Sequence, residues 1–274
     1  MINHRIGDVL AQKGGVRFAE DVYQSSLRIA TQLAEHDPSN TQLQRDLSAS
    51  YEKIGSVLED QGKTEGALGS YQASLAITKR LVADDPEKLP LQHDLRLSLE
   101  NVGRVLLKRG QPRDAVQHYQ HSAAVLDQLA AAEPANIELK RGLIWTYERI
   151  GNLLDQQGQR DAARAAYRAS HAIAESLATA EPTNAEWKYL SYRELGLIRE
   201  SEGKAKQAGE LYCLARDMAE DSLSHSSGAD ATRRQWKKRK DWVDDHLAVV
   251  QDRGAATCHT ASSDRTGLTG SNNL

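Results

Sequence analysis

Residues 51–86 read YEKIGSVLEDQGKTEGALGSYQASLAITKRLVADDP, and the marks inside this stretch recur along the chain at one step. Its Ile54-Gly55 pair is matched by Ile6-Gly7, Val102-Gly103 and Ile150-Gly151, each 48 residues from the last. Gly62 belongs with Gly14, Gly110 and Gly158, and Tyr71 with Tyr23, Tyr119 and Tyr167. Pro86 closes the stretch in phase with Pro38, Pro134 and Pro182. The step then contracts once, to 45, giving Leu195-Gly196, Gly203 and Tyr212. Four markers in a common phase define an internal repeat, each unit burying its apolar face against its neighbours.

The spacing predicts two helices per unit. The first spans roughly 41–61, 88–109 and 137–157, and the second 64–83, 112–132 and 160–180. Glycine at 62, 110 and 158 suits the left-handed residue that closes a helix. Pro112 falls at a first helical position, where a missing N–H costs nothing. Between units, Asp37-Pro38-Ser39-Asn40, Glu133-Pro134-Ala135-Asn136 and Glu181-Pro182-Thr183-Asn184 stop one helix and start the next. Proline disfavours helix in the residue before it, and asparagine caps the helix after it. In the third unit Lys88 stands where the asparagine would be.

The buried stripe of the second helix reads Ala67, Tyr71, Ser74, Ile77 and Leu81, at helical spacing. Ala115, Tyr119, Ser122, Val125 and Leu129 repeat it, as do Ala163, Tyr167, Ser170, Ile173 and Leu177. The small residues allow close helix approach. The three residues missing from the fifth unit fall between Lys188 and Leu195, which turns that helix's apolar face without erasing it.

These positions resemble the tetratricopeptide repeat (TPR). Tyr51, Ile54 and Gly55 match the family's first helix, and Ala67, Tyr71 and Ser74 its second. Tyr147, Ile150, Gly151, Ala163, Tyr167 and Ser170 do so again in the fourth unit. The resemblance covers roughly residues 1–223. It implies an all-α fold, a right-handed superhelical solenoid of antiparallel helical hairpins. The usual unit is about 34 residues, so this one adds about two turns to each helix. Units of this length resemble those of large bacterial multidomain proteins, where they follow kinase, protease-like or signalling domains.

Composition agrees with a helical class. The chain is 39% hydrophobic and 27% charged, with 5% aromatics and 6 prolines. A net charge of −3 offers no global field for nucleic acid or an anionic membrane. Two cysteines, Cys213 and Cys258, are too few and too far apart in sequence for a disulfide framework or zinc site, which points to a reducing compartment. No apolar run reaches membrane-span length and no signal core opens the chain, so the cytoplasm is the expected location.

The expected organisation is a solenoid of about five hairpins over 1–223, the first truncated, then a capping helix over 229–250 and a disordered tail over 251–274. The cap would pack through Trp236, Val243 and Leu247. The first helix keeps only Met1–Lys13, leaving Ile6 and Leu10 uncovered, so the sequence reads as a piece of a larger protein or one able to self-associate through its N-terminal hairpin.

By TPR geometry the first helices line an inner groove. The positions this implies are Arg45, Glu52, Ser56 and Glu59; His93, Glu100, Arg104 and Lys108; and Arg141, Trp145, Glu148, Asn152 and Asp155. Such a mixed-charge surface suits an extended or helical peptide, and Trp145 is either an anchor on it or packed under the neighbouring hairpin. The regular lysine and asparagine placement of the family's carboxylate clamp is not reproduced.

Other candidates are weaker. The basic run at 233–240, with Trp236 inside it, is small against a net acidic chain, so nucleic acid is not favoured. His118 and His121 lack the carboxylate or cysteine companions of a metal site, and no phosphate loop, nucleophile elbow or paired-carboxylate motif is present. The expectation is a protein-binding scaffold with no catalysis, cofactor or metal. The alternative is the partner-docking C-terminal array of a split or truncated signalling enzyme such as a serine/threonine kinase.

Overall fold

The structure, a computed structural model, describes residues 16–225, 231–254 and 258, with side chains from residue 20. Met1–Lys13, and with it Ile6, Leu10 and the proposed self-association face, lies outside the described residues, as does nearly all of the 255–274 tail. Among the described residues there are ten helices and no strand. The helices are α1 (Val16–His36), α2 (Thr41–Asp60), α3 (Thr64–Asp84), α4 (Leu89–Lys108), α5 (Pro112–Ala132) and α6 (Ile137–Gln156). They continue as α7 (Arg160–Ala180), α8 (Ala185–Ser201), α9 (Ala205–His225) and α10 (Ala231–Asp252). They fall into two compact units, residues 1–163 and 164–274.

The hairpin turns show why the glycines recur. Gly62 closes α2 at φ 74°, in the left-handed region. Its N–H donates to Glu59 O at 2.9 Å, and the next residue, Lys63, donates to Leu58 O at 2.8 Å. This Schellman pairing satisfies the last carbonyls of the helix. Gly110 (φ 70°), Gly158 and Gly203 (both 74°) take the same conformation.

The junctions are less uniform than their sequences suggest. Asn40 Oδ1 accepts from the N–H groups of Gln42 and Leu43 at 3.1 and 3.2 Å. Asn184 Oδ1 accepts from Glu186 N–H at 3.0 Å. Asn136, however, makes no side-chain cap, and its amide donates instead to Glu133 at 3.0 Å. At the start of α4, Pro90 sits in the first two helical positions, removing one donor that Lys88 cannot satisfy.

In the first unit, Tyr71 and Tyr119 are 1% exposed and fill the space inside their hairpins. Each ring lies against a glycine of the facing helix. A Cβ added at Gly55 would stand 2.7 Å from Tyr71 Cε1, and one at Gly103 would stand 3.0 Å from Tyr119 Cζ. Ala67, Ala115, Ser74 and Ser122 are fully buried beside them; α5 buries the whole stripe read from sequence, and α3 all of it but Ile77, which is half-buried. Upstream, α1 packs on α2 through Tyr23, Ile54 and Val57.

In the second unit α8 has 17 residues against 20 in α2, α4 and α6, which localises the contracted step. Trp187, Tyr189, Leu190, Leu197 and Ile198 keep its apolar face buried. The last helix, α10, packs along α9 and buries Trp236, Val243, Leu247 and Val250. Its contacts are aromatic and cationic. Arg239 lies 4.4 Å from the centroid of Trp236 and 5.5 Å from that of Tyr189. Tyr189 donates its hydroxyl proton to Arg239 O at 3.0 Å. Trp242 stacks on His246 at 3.7 Å, and Tyr212 meets both edge-on.

The cysteine reading needs correction. Cys213 on α9 and Cys258, 45 residues later, form a disulfide with Cα atoms 5.6 Å apart. Gly254, at φ 91°, ends the α10 segment four residues before Cys258. Distance along the chain hid the pair, because antiparallel α9 and α10 bring the two ends of that segment together. Unpaired cysteines were the ground for a reducing compartment, and that ground is gone, since disulfides persist in oxidising ones.

Candidate functional site

The first helices α2, α4 and α6 carry the residues that sequence assigned to a groove, and the structure sorts them by charge. Glu59 has a side chain only 3% exposed. It accepts from the Tyr71 hydroxyl at 3.1 Å and pairs with Lys108 at 2.7 Å and with Arg104. Glu52 is half-buried and accepts from Ser74 at 3.2 Å and Ser98 at 2.9 Å. Glu148 is 6% exposed. Glu100 is held by both nitrogen–oxygen contacts of Arg96 at 2.8 Å and accepts from Ser122 at 3.1 Å. These four glutamates therefore face into the stack, while Asp155 does not.

Two cations of α4 keep more of their surface in water than the carboxylate they share. Arg104 is 40% and Lys108 50% exposed at the side chain. Arg45 pairs with Asp94 at 2.6 Å, Arg141 with Glu138 at 2.7 Å, and His93 with Glu133 at 3.4 Å. Ser56 and Asp155 are exposed and Asn152 is half-buried. Trp145 is 41% exposed, and so is Leu97, which occupies the same position one repeat earlier.

Sequence reading took Ser74 and Ser122 only as small residues. They are also donors. The Ser74 hydroxyl lies 2.8 Å from that of Ser48, 3.1 Å from that of Ser98 and 3.2 Å from Glu52, so a buried polar chain links α2, α3 and α4. Glu52 and Glu100 recur at the same 48-residue step as Ser74 and Ser122, and that joint recurrence is the signal that marks them as partners. The fifth unit changes both at once, to Arg193 and Ala215. Arg193 turns to Glu194 at 2.6 Å and to the Tyr189 and Trp242 rings. Leu97 and Arg149 were also missed. Arg149 donates to the Tyr119 hydroxyl at 2.9 Å, its guanidinium 5.1 Å from the ring centroid.

Two neighbouring carboxyls titrate in opposite senses. Burial pushes Glu52 up, and the Ser98 and Ser74 hydroxyls offset this only in part. Burial also pushes Glu59 up, but Lys108, Arg104 and Tyr71 outweigh it and hold the carboxyl below its usual range. The folded state thus binds the Glu52 proton more tightly than the unfolded chain does. Its contribution to stability is fully present below the ordinary glutamate range and is lost as pH rises through the raised folded value. The Glu59 contribution is present above that range and is lost as pH falls through the lowered folded value. Glu52→Gln is therefore expected to become less damaging from pH 4 to pH 7, and Glu59→Gln to become more damaging. Urea midpoints at the two pH values measure both; parallel shifts for the two variants would contradict the assignment.

The basic run at 233–240 is divided by its helix. Trp236 and Arg239 point inward, at 7% and 6% exposure, and Arg239 pairs with Glu186. Lys240 is held by Asp244 at 2.6 Å. Arg233, Lys237 and Lys238 remain exposed, and Trp236 is not presented to stack on a base. His118 is half-buried and His121 exposed, and no group of three metal-ligating side chains occurs among the described residues.

A chain of repeated antiparallel helical hairpins, with its exposed apolar and cationic side chains on successive first helices, is a helical-repeat protein. Residues 47–87 match the tetratricopeptide repeat family, and the described residues share the all-α helical-hairpin fold of such repeats. It is similar in structure to BtubC (BKLC) from P. vanneervenii, at 14% identity and a TM-score of 0.54, covering 93% of this chain and 99% of that one. It is also similar to a putative kinesin light chain from Podosopora anserina with nearly identical TPR-like repeats. That likeness is at 18% identity and a TM-score of 0.55, covering 82% and 96%. At such identities the likeness is one of fold. No curated protein sequence matches the chain.

Proposed function

We propose that the chain is a protein-interaction scaffold, binding a peptide or partner protein across the exposed face of α4 and α6 and performing no chemistry of its own. The observation that supports this best is the pair Leu97 and Trp145, large apolar side chains 41% exposed at repeat-equivalent positions. Exposed tryptophan is the commonest kind of binding anchor. Arg104 and Lys108 lie two and three turns along α4 from Leu97. Spacings of 7 and 11 residues keep all three on one side of that helix. The glutamates that would make an acid–base pair for catalysis are instead committed to the serines, tyrosine and cations of the stack. No helix among the described residues is long and apolar enough to cross a membrane.

The test is selection of 15-residue peptides from a random display library on the purified chain, followed by fluorescence titration of the winners. Leu97→Asp with Trp145→Asp is expected to weaken the selected peptides at least tenfold without changing the helical circular dichroism or the melting midpoint. Equal binding by both proteins would place the binding surface elsewhere.

A further inference from the structure

The face around Leu97 and Trp145 has a sign of charge that the sequence does not give it. The α2, α4 and α6 segments carry acids and bases in similar number, which reads as a mixed-charge groove. Folding draws four glutamates of these helices inward. Glu59 and Glu148 are 6% exposed each, and Glu52 is taken up by two serine hydroxyls. Glu100 is chelated by Arg96. Arg104, Lys108 and Arg149 stay at the surface, because a long aliphatic stem lets the charged head reach water while its base packs.

Three of these cations carry the excess. Arg104 and Lys108 converge on a single carboxylate, Glu59, so two positive charges share one buried negative charge. Arg149 sits over the Tyr119 ring and bonds its phenol, a neutral partner. Arg104 stands over Tyr71 as Arg149 stands over Tyr119, the same ring position one repeat later. Trp145 and Arg149 are four residues apart, one turn along α6. The exposed carboxylates nearby do not cancel this. Glu138 neutralises Arg141, Asp94 neutralises Arg45, and Asp155 stands at the last turn of α6.

Resting on the scaffold proposed above, we infer that the partner is an acidic segment: an apolar side chain set against Leu97 and Trp145, with carboxylates within a turn or two of it meeting Arg104, Lys108 and Arg149. Guanidinium and carboxylate match in geometry, and an exposed cation already half satisfied by a buried acid loses little hydration on gaining a second one. The ammonium of Lys108 adds a point charge without demanding one orientation.

The peptide selection reads this directly. The winning 15-residue peptides are expected to share one aromatic or aliphatic anchor flanked by two or more Asp or Glu. Their Kd is expected to rise about fivefold from 50 to 300 mM NaCl. Lys108→Gln with Arg149→Gln should raise the Kd about tenfold while binding of an all-neutral control peptide, with the carboxylates amidated, changes less than twofold. A melting midpoint within about 3 °C of the parent keeps the comparison on a folded protein. A neutral or basic consensus, or a salt-independent Kd, would overturn the acidic-partner inference while leaving the scaffold standing. Peptides indifferent to Leu97→Asp and Trp145→Asp would remove the scaffold surface itself, and the inference with it.

Discussion

Gly55→Val is expected to destabilise the first unit by about 3 kcal/mol, the upper range for overpacking a filled core. One added carbon already stands 2.7 Å from the Tyr71 ring, and valine adds three. The ring has little freedom to retreat, since its hydroxyl bonds Glu59 and the Arg104 guanidinium lies 5.7 Å from its centroid. Helix propensity works the other way, favouring a non-glycine residue by a few tenths of a kcal/mol, and is outweighed. Tyr71→Ala alone should cost about 3–5 kcal/mol through the cavity it leaves. The two together should cost less than their sum by about 1–3 kcal/mol, because valine fills part of the space the ring vacates. Urea unfolding of the four proteins closes this cycle. Strict additivity would mean that the ring does not occupy the space over Gly55.

The second large effect belongs to Trp236→Ala, at about 3–5 kcal/mol for a buried aromatic. Trp236 is 7% exposed, stands 5.8 Å from Tyr189 edge-on and holds Arg239 against its face. Removing it takes away area and also uncovers a guanidinium paired with Glu186. Lys237→Ala, one residue along and exposed, should change stability by less than about 0.5 kcal/mol. Hydrogen exchange followed by mass spectrometry should show the Trp236 loss over α8–α10, with amides of α2–α5 unaffected. Uniform acceleration across the chain would show instead that the last helix is not a local cap.

These effects bear on how far sequence alone could reach. The hairpins and their glycine turns follow from local rules and a strict step, so Gly55, Gly62 and Tyr71 could be assigned to helix and turn before any coordinates, although the contact of Tyr71 with Gly55 inside one hairpin could not. Residues whose role depends on a neighbour in another hairpin could not. Ser98 bonds Glu52 across 46 residues, and Arg104 reaches Glu59 across a whole hairpin. Periodicity shows which helix face such a residue is on but not whether its charge turns in or out. Asn136 is a smaller case, where the capping signal is present and the side chain spends itself on Glu133. Cys213 and Cys258 are the plainest, since nothing in a 45-residue interval reveals that its two ends are adjacent.

That pairing makes the whole of α10 part of a covalent ring closed through α9. A single backbone cut anywhere between Cys213 and Cys258 leaves two fragments that migrate as one until a reductant is added. It also changes what undocking of the last helix means. A helix held at both ends stays at an effective local concentration in the millimolar range beside its seat, so each opening is followed by re-closure within the same molecule before a diffusing competitor can arrive.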